Sequence, residues 1–213
     1  MTTMIFDKIL NFSEPLKRAR HRYDMGMELS LVASQAKNDK ERFTLWQNEL
    51  VGSTGEQLDI QCFPQIEMFD YDKKGDKFAH SIDCRIGKLH YEIKTRLFGV
   101  RGKTRDSHYR HFFVNKEQHE RKDPKPDRIL CNITTSWNNN RVEDGFVLGY
   151  FDCDTLESYS TIRLKEVTYI GFDPLCWRVE LYDIKPLPIK PVRGKRINTP
   201  YPFLPVVDYA RSV

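Results

Sequence analysis

Gly87-Lys88 sits between two short β-prone runs, Cys84-Arg85-Ile86 and Leu89-His90-Tyr91, and this is the stretch that most constrains the fold. A two-residue turn between such flanks predicts a β-hairpin, and a tight turn sets the register of the strands it joins. The hairpin extends back to Ser81-Ile82-Asp83 and forward to Tyr91-Glu92-Ile93-Lys94-Thr95. Side chains alternate along a strand, so Glu92 and Lys94 share one face while Tyr91, Ile93 and Thr95 take the other. Asp83 and Glu92 then meet at the open end. Two anions and a cation are thereby expected in one pocket.

Hydrolysis of a phosphodiester needs such a grouping. Carboxylate oxygens hold Mg²⁺ beside the phosphate, and a lysine adds a compact charge that orients the attacking water or lowers its pKa. The arrangement resembles the PD-(D/E)xK, or restriction-endonuclease-like, nuclease superfamily, whose signature is matched by Asp83, Glu92 and Lys94, with Ile82 where the signature has proline. The resemblance implies Mg²⁺, with Mn²⁺ able to substitute, bound by Asp83, Glu92 and the backbone carbonyl of Ile93, and water positioned by Lys94. A Glu-x-Lys tripeptide by itself is common, and the competing reading is an ordinary surface hairpin. The surrounding chain has to decide.

Upstream, residues 39–58 carry Phe43, Trp46, Leu50 and Leu58 at mostly helical spacing, with Lys40, Glu41, Arg42, Gln47 and Asn48 on a polar face. Gly52-Ser53-Thr54-Gly55 either ends or kinks that helix before Glu56. The resemblance implies a helix glutamate near the metal, often within a G-x-x-G-E-like stretch. Glu56 matches that position and Glu49 is the fallback; the plainer alternative makes both solvated helix residues.

Downstream, residues 95–128 carry a net charge of +5, more than the +4 of the whole chain. Arg96, Arg101, Lys103, Arg105, Arg110 and Lys116 belong to this stretch, and His108, His111 and His119 interleave there with Tyr109, Phe112 and Phe113. Clustered cations with aromatic rings suit phosphate contact and base stacking, so these six cations are the expected nucleic-acid-binding residues. A solvated charged face is the competing reading. The resemblance further implies a third strand and a helix bearing a polar residue. His111-Phe112-Phe113-Val114 followed by Asn115-Lys116-Glu117-Gln118 fits that junction, making Gln118 and Lys116 secondary site residues. Zinc is not expected, because neither CxxC nor HxxxH spacing occurs.

Arg128–Ile133 and Gly145–Phe151 read as buried strands, so the expected fold class is α/β with a restriction-endonuclease-like core, a mixed central β-sheet flanked by helices. At 213 residues one such domain is the expected size. The expected divisions are a helical N-terminal extension over 1–38, a nuclease domain over 39–183 and a Pro-rich basic arm over 184–213. In the extension, a helix within 14–37 packs on the core or on a second subunit and leaves Lys17, Arg18, Arg20 and Arg22 solvated. The arm's prolines forbid regular helix, and it either wraps DNA, clasps a partner protomer in a homodimer or lies on its own domain, with Tyr201, Phe203, Leu204 and Val206 tying down its end. Five scattered cysteines and the lack of an apolar span near membrane length point to reduced thiols in a soluble, cytosolic protein with no membrane partner. The functional expectation is a Mg²⁺-dependent nuclease, DNA endonuclease first, with RNA left open. The alternative is a catalytically inactive nucleic-acid-binding or assembly module of the same fold, and a further rival is an interaction protein whose basic stretch meets an acidic partner.

Overall fold

The hairpin forms around Gly87, whose φ of 63° is the left-handed conformation that a two-residue turn demands and that glycine adopts without strain. In this computed structural model the described residues are 2–28, 39–69, 82–97, 111–134, 137–138, 141–163 and 174–199. They form, in chain order, β1 (Thr2–Lys8), α1 (Ser13–Glu28), α2 (Asp39–Cys62), β2 (Glu67–Met68), β3 (Cys84–Ile86) and β4 (Leu89–Leu97). β5 (His111–Asn115), α3 (Lys116–Glu120), β6 (Arg128–Thr134), β7 (Trp137–Asn138), β8 (Arg141–Val142) and β9 (Asp144–Asp152) follow. β10 (Thr161–Arg163), β11 (Leu175–Glu180) and β12 (Lys195–Thr199) complete the series.

Seven strands make the main sheet in the order β12-β1-β9-β6-β4-β3-β2. It is mixed and mostly antiparallel, with β4 and β6 parallel. Alternation sorts its side chains as the sequence predicts. Tyr91 and Ile93 join Leu130, Val147 and Ile5 in a core closed by Leu58 and Cys62 of α2. On the other face, Ile129, Cys131, Phe146 and Leu148 pack against Phe112 and Val114 of β5 and Trp177 and Val179 of β11. The second layer is a three-stranded sheet, β10-β11-β5.

Four expectations change. The Gly-Ser-Thr-Gly stretch neither ends nor kinks α2, which runs unbroken to Cys62. Gly55 instead lets the helix backbone approach β4, since a Cβ there would lie 2.8 Å from Thr95 Cβ and Cγ2, and Thr54 Oγ1 donates to the Leu50 carbonyl at 2.7 Å. β5 does not extend the main sheet; β6 takes the place beside β4, while β5 pairs with β11. At the N-terminus, β1 precedes the helix and enters the main sheet, so that end is not solely helical. At the other end the arm returns as β12 and pairs with β1, so the sheet runs across the expected divisions at 38 and 183. The segments 200–213 and 101–110 lie outside the described residues.

Candidate active site

Asp83 stands immediately before β3, its N–H donating to the Tyr91 carbonyl at 3.0 Å. Its carboxylate lies along the sheet, and Oδ2 accepts from the Ile93 N–H at 2.6 Å. A strand residue's N–H and C=O point to the same side. The Ile93 carbonyl therefore also faces away from β6, toward Asp83.

Glu92 projects to the face opposite α2 and is 2% exposed. Its Oε1 pairs with Lys94 Nζ at 2.5 Å and with Lys122 Nζ at 2.9 Å. Its Oε2 is 4.0 Å from His119 Nδ1, outside hydrogen-bond range, and neither atom has a hydrogen-bond partner among the described residues. Burial would raise the Glu92 carboxyl, but Lys94, His119 and Lys122 outweigh it and hold it well below the usual carboxylate range. The carboxylate is charged. Burial likewise pulls the Lys94 ammonium down, and Glu92 with Asp83 more than offsets this, holding it above the ordinary lysine value.

His119 and Lys122 come from α3 and the turn after it. Asn115 caps this helix, accepting from the Gln118 N–H at 3.0 Å, and His119 stands edge-on to Trp177 with ring centroids 5.6 Å apart. The sequence reading chose their neighbours. Gln118 is exposed, and Lys116 reaches Glu157 at 3.1 Å and lies over the Trp177 ring at 4.8 Å. The missed signal is spacing: three residues apart on a helical turn, His119 and Lys122 face the same way. Beyond His119 opens a cleft of about 560 Å³, lined also by Leu89, Arg128, Asp152, Leu156 and Trp177.

Glu56 approaches from the α2 side and has another task. Arg22 grips both its oxygens, at 2.5 and 3.0 Å, and Arg18 adds a contact at 3.4 Å while donating to Gln57 at 2.7 Å. This corrects the expectation that the cations of α1 are merely solvated: two of them anchor α1 to α2, and the carboxylate expected at the metal is the anchor. The fallback, Glu49, is half-buried; burial pushes its carboxyl up and Arg22 opposes. One turn beyond Glu56, Asp59 is fully buried and accepts from Asn132 Nδ2 at 2.6 Å. Burial pushes its carboxyl well above the usual range, with Glu56 and Asp83 adding to the shift.

Of the expected nucleic-acid contacts, Arg96 lies over the Phe112 and Phe113 rings and donates to the His111 carbonyl, joining β4 to β5. Arg101, Lys103, Arg105 and Arg110 lie outside the described residues. The described residues contain no group of three His, Cys, Asp or Glu arranged to hold a metal ion. The nearby oxygen donors form a smaller set on adjoining strands: Asp83, which accepts from the Ile93 N–H, the Ile93 carbonyl, and Glu92, whose Oε2 has no hydrogen-bond partner among the described residues. Such a set suits Mg²⁺, which takes one or two carboxylates and leaves its other positions to water and phosphate. None of the described helices is long and apolar enough to cross a membrane, and all five cysteines are free. Searches against protein-family models, curated proteins and solved structures found no match.

Proposed function

We propose that this protein is a divalent-metal-dependent nuclease with a restriction-endonuclease-like core, acting on DNA. The observation that carries the reading is the Lys94 ammonium 2.5 Å from the buried Glu92 carboxylate, with Asp83 of the facing hairpin arm accepting from the Ile93 N–H between them in sequence. A helix before the hairpin and another after it, followed by the parallel strand β6, agree with that core. The +5 charge of residues 95–128 supplies the attraction for a polyanion.

Asp83, Glu92 and the Ile93 carbonyl would hold Mg²⁺, which when bound lowers the pKa of water and neutralises charge developing on phosphorus oxygens. Ile93 N–H fixes the Asp83 carboxylate in the plane of the sheet. Lys94 acts by its charge, orienting the attacking water and stabilising the pentavalent transition state. Attack is in line and direct. Glu56 takes no part in the chemistry while Arg22 and Arg18 occupy it.

A second reading, an inactive nucleic-acid-binding or assembly module, draws on one observation: Lys94 and Lys122 already neutralise Glu92 without a metal. One experiment separates the two. Purified protein is incubated with supercoiled, linear, single-stranded and branched DNA and with RNA, in Mg²⁺, Mn²⁺ or EDTA. Cleavage that EDTA abolishes supports the nuclease; salt-sensitive binding with no cleavage in either metal supports the module.

A further inference from the structure

The Glu92 carboxylate is compensated before any metal arrives. Its Oε1 carries two ammoniums, Lys94 at 2.5 Å and Lys122 at 2.9 Å. Lys94 belongs to the same strand as Glu92, and hence to the hairpin itself. Lys122 does not: it comes from the turn after α3, where its N–H donates to the His119 carbonyl at 3.2 Å. His119, whose carbonyl accepts that bond, also lines the cleft.

We propose that Lys122 is a phosphate-binding residue of this site, held on Glu92 in the substrate-free protein and passed to a phosphodiester oxygen, so that divalent cation and nucleic acid bind together. The inference rests on the nuclease reading. A dication entering beside a buried carboxylate that already carries two ammoniums meets like charge in a poorly solvated pocket, where repulsion is strong. A phosphodiester supplies the missing negative charge, and a lysine on a flexible four-carbon stem can exchange one oxyanion for another without moving the backbone. Lys122 is 11% exposed along its side chain, so its ammonium is not drawn away by bulk water. The rival explanation is that Lys122 only neutralises a buried glutamate.

Calorimetric titration with Mn²⁺, with and without a phosphorothioate duplex that resists cleavage, distinguishes them. For the wild type, metal binding should tighten about tenfold or more with duplex, and duplex binding should tighten equally with metal. Lys122→Met should bind Mn²⁺ about tenfold tighter without duplex, because one repelling charge is gone. It should lose most of the coupling, and the log–log salt slope of duplex binding should fall by about 0.9 for the lost phosphate contact. Lys122→Arg should retain wild-type coupling. Equal Mn²⁺ affinity in the wild type with and without duplex overturns the inference while leaving the nuclease reading intact, and so does an unchanged salt slope in Lys122→Met. A wild type that binds no Mn²⁺ in either condition removes both. Should Lys122→Met fail to fold, Lys122→Gln is titrated in its place, and a wild-type coupling and salt slope in that variant overturn the inference.

Discussion

Lys94 faces two carboxylates that keep it charged, so its contribution to hydrolysis lies in the transition state and not in holding substrate. Lys94→Ala should leave metal and DNA affinity within a few-fold of wild type while the cleavage rate falls by roughly 10²-fold or more, about 2.7 kcal/mol of lost transition-state stabilisation. Quenched-flow cleavage beside equilibrium binding tests this, and a folded variant that cuts at the wild-type rate excludes Lys94 from the chemistry. The pairing of Lys94 with Glu92 was legible in the sequence because alternation along one strand is a local rule; His119 and Lys122 were less so, because they meet Glu92 only through the packing of a separate helix. Asp59 escaped notice altogether, since an acid inside a helical pattern looks solvated until its burial is known. Its carboxyl is raised on folding, so the folded chain holds a proton that the unfolded chain has released. Stability from this group is full below the ordinary aspartate pKa and is lost as pH rises toward the folded value, at up to about 1.4 kcal/mol per pH unit. Asp59→Asn has no proton to lose. Its stability relative to wild type should therefore improve between pH 4 and pH 8 in urea unfolding, and a difference that stays flat across that range would show that Asp59 ionises normally.

Helix α2 shows how a local signal can mean something other than what it usually marks. Glycine and serine clusters commonly punctuate helices, yet Gly52-Ser53-Thr54-Gly55 lies inside one, because Gly55 is where helix and strand come closest. The two glycines differ physically. At Gly52 a methyl group would meet nothing within 4 Å, whereas at Gly55 it would clash with both Thr95 Cβ and Cγ2, which rotation about the β-branched side chain cannot clear together. Gly52→Ala should therefore stabilise by about 0.5–1 kcal/mol through helix propensity, and Gly55→Ala should destabilise by about 1–3 kcal/mol through overpacking. Chemical denaturation of the two variants provides the comparison. If both shift stability in the same direction, the close approach of α2 to β4 is not what keeps glycine at 55. The hairpin, α2, β6 and β9 were readable from period and turn residues, and so was the mixed sheet. The parting of β5 from that sheet was not, because strand order depends on partners distant in sequence.

Across the described residues the first strand and the last one pair. β1 pairs with β9 on one side and with β12 on the other, so the last described strand closes the sheet on the first. Proline spacing predicts a segment without regular helix, and residues 184–199 contain none, but it carries no sign of the strand's partner, which lies nearly the full length of the chain away. Several of its groups are committed to the core. Ile184 is buried, Lys185 exchanges backbone hydrogen bonds with Tyr150 at 2.7 and 2.8 Å, and Arg193 donates to the buried Asp7 at 2.7 Å. Lys185 also reaches Asp152 at 2.5 Å, so two of the arm's cations have carboxylate partners of their own. Ending the chain after Asp183 would strip β12 from β1, expose the apolar surface that Leu187 and Ile189 cover, and leave Asp7 with Gln61 in place of a charged partner. Losses of this kind sum to several kcal/mol, which for a chain of this size lowers the melting temperature by more than about 10 °C. Calorimetry should therefore show the truncated chain melting far below the full chain, or without a cooperative transition. An unchanged melting temperature would make the arm an appendage, and its cations would then be available to bind DNA.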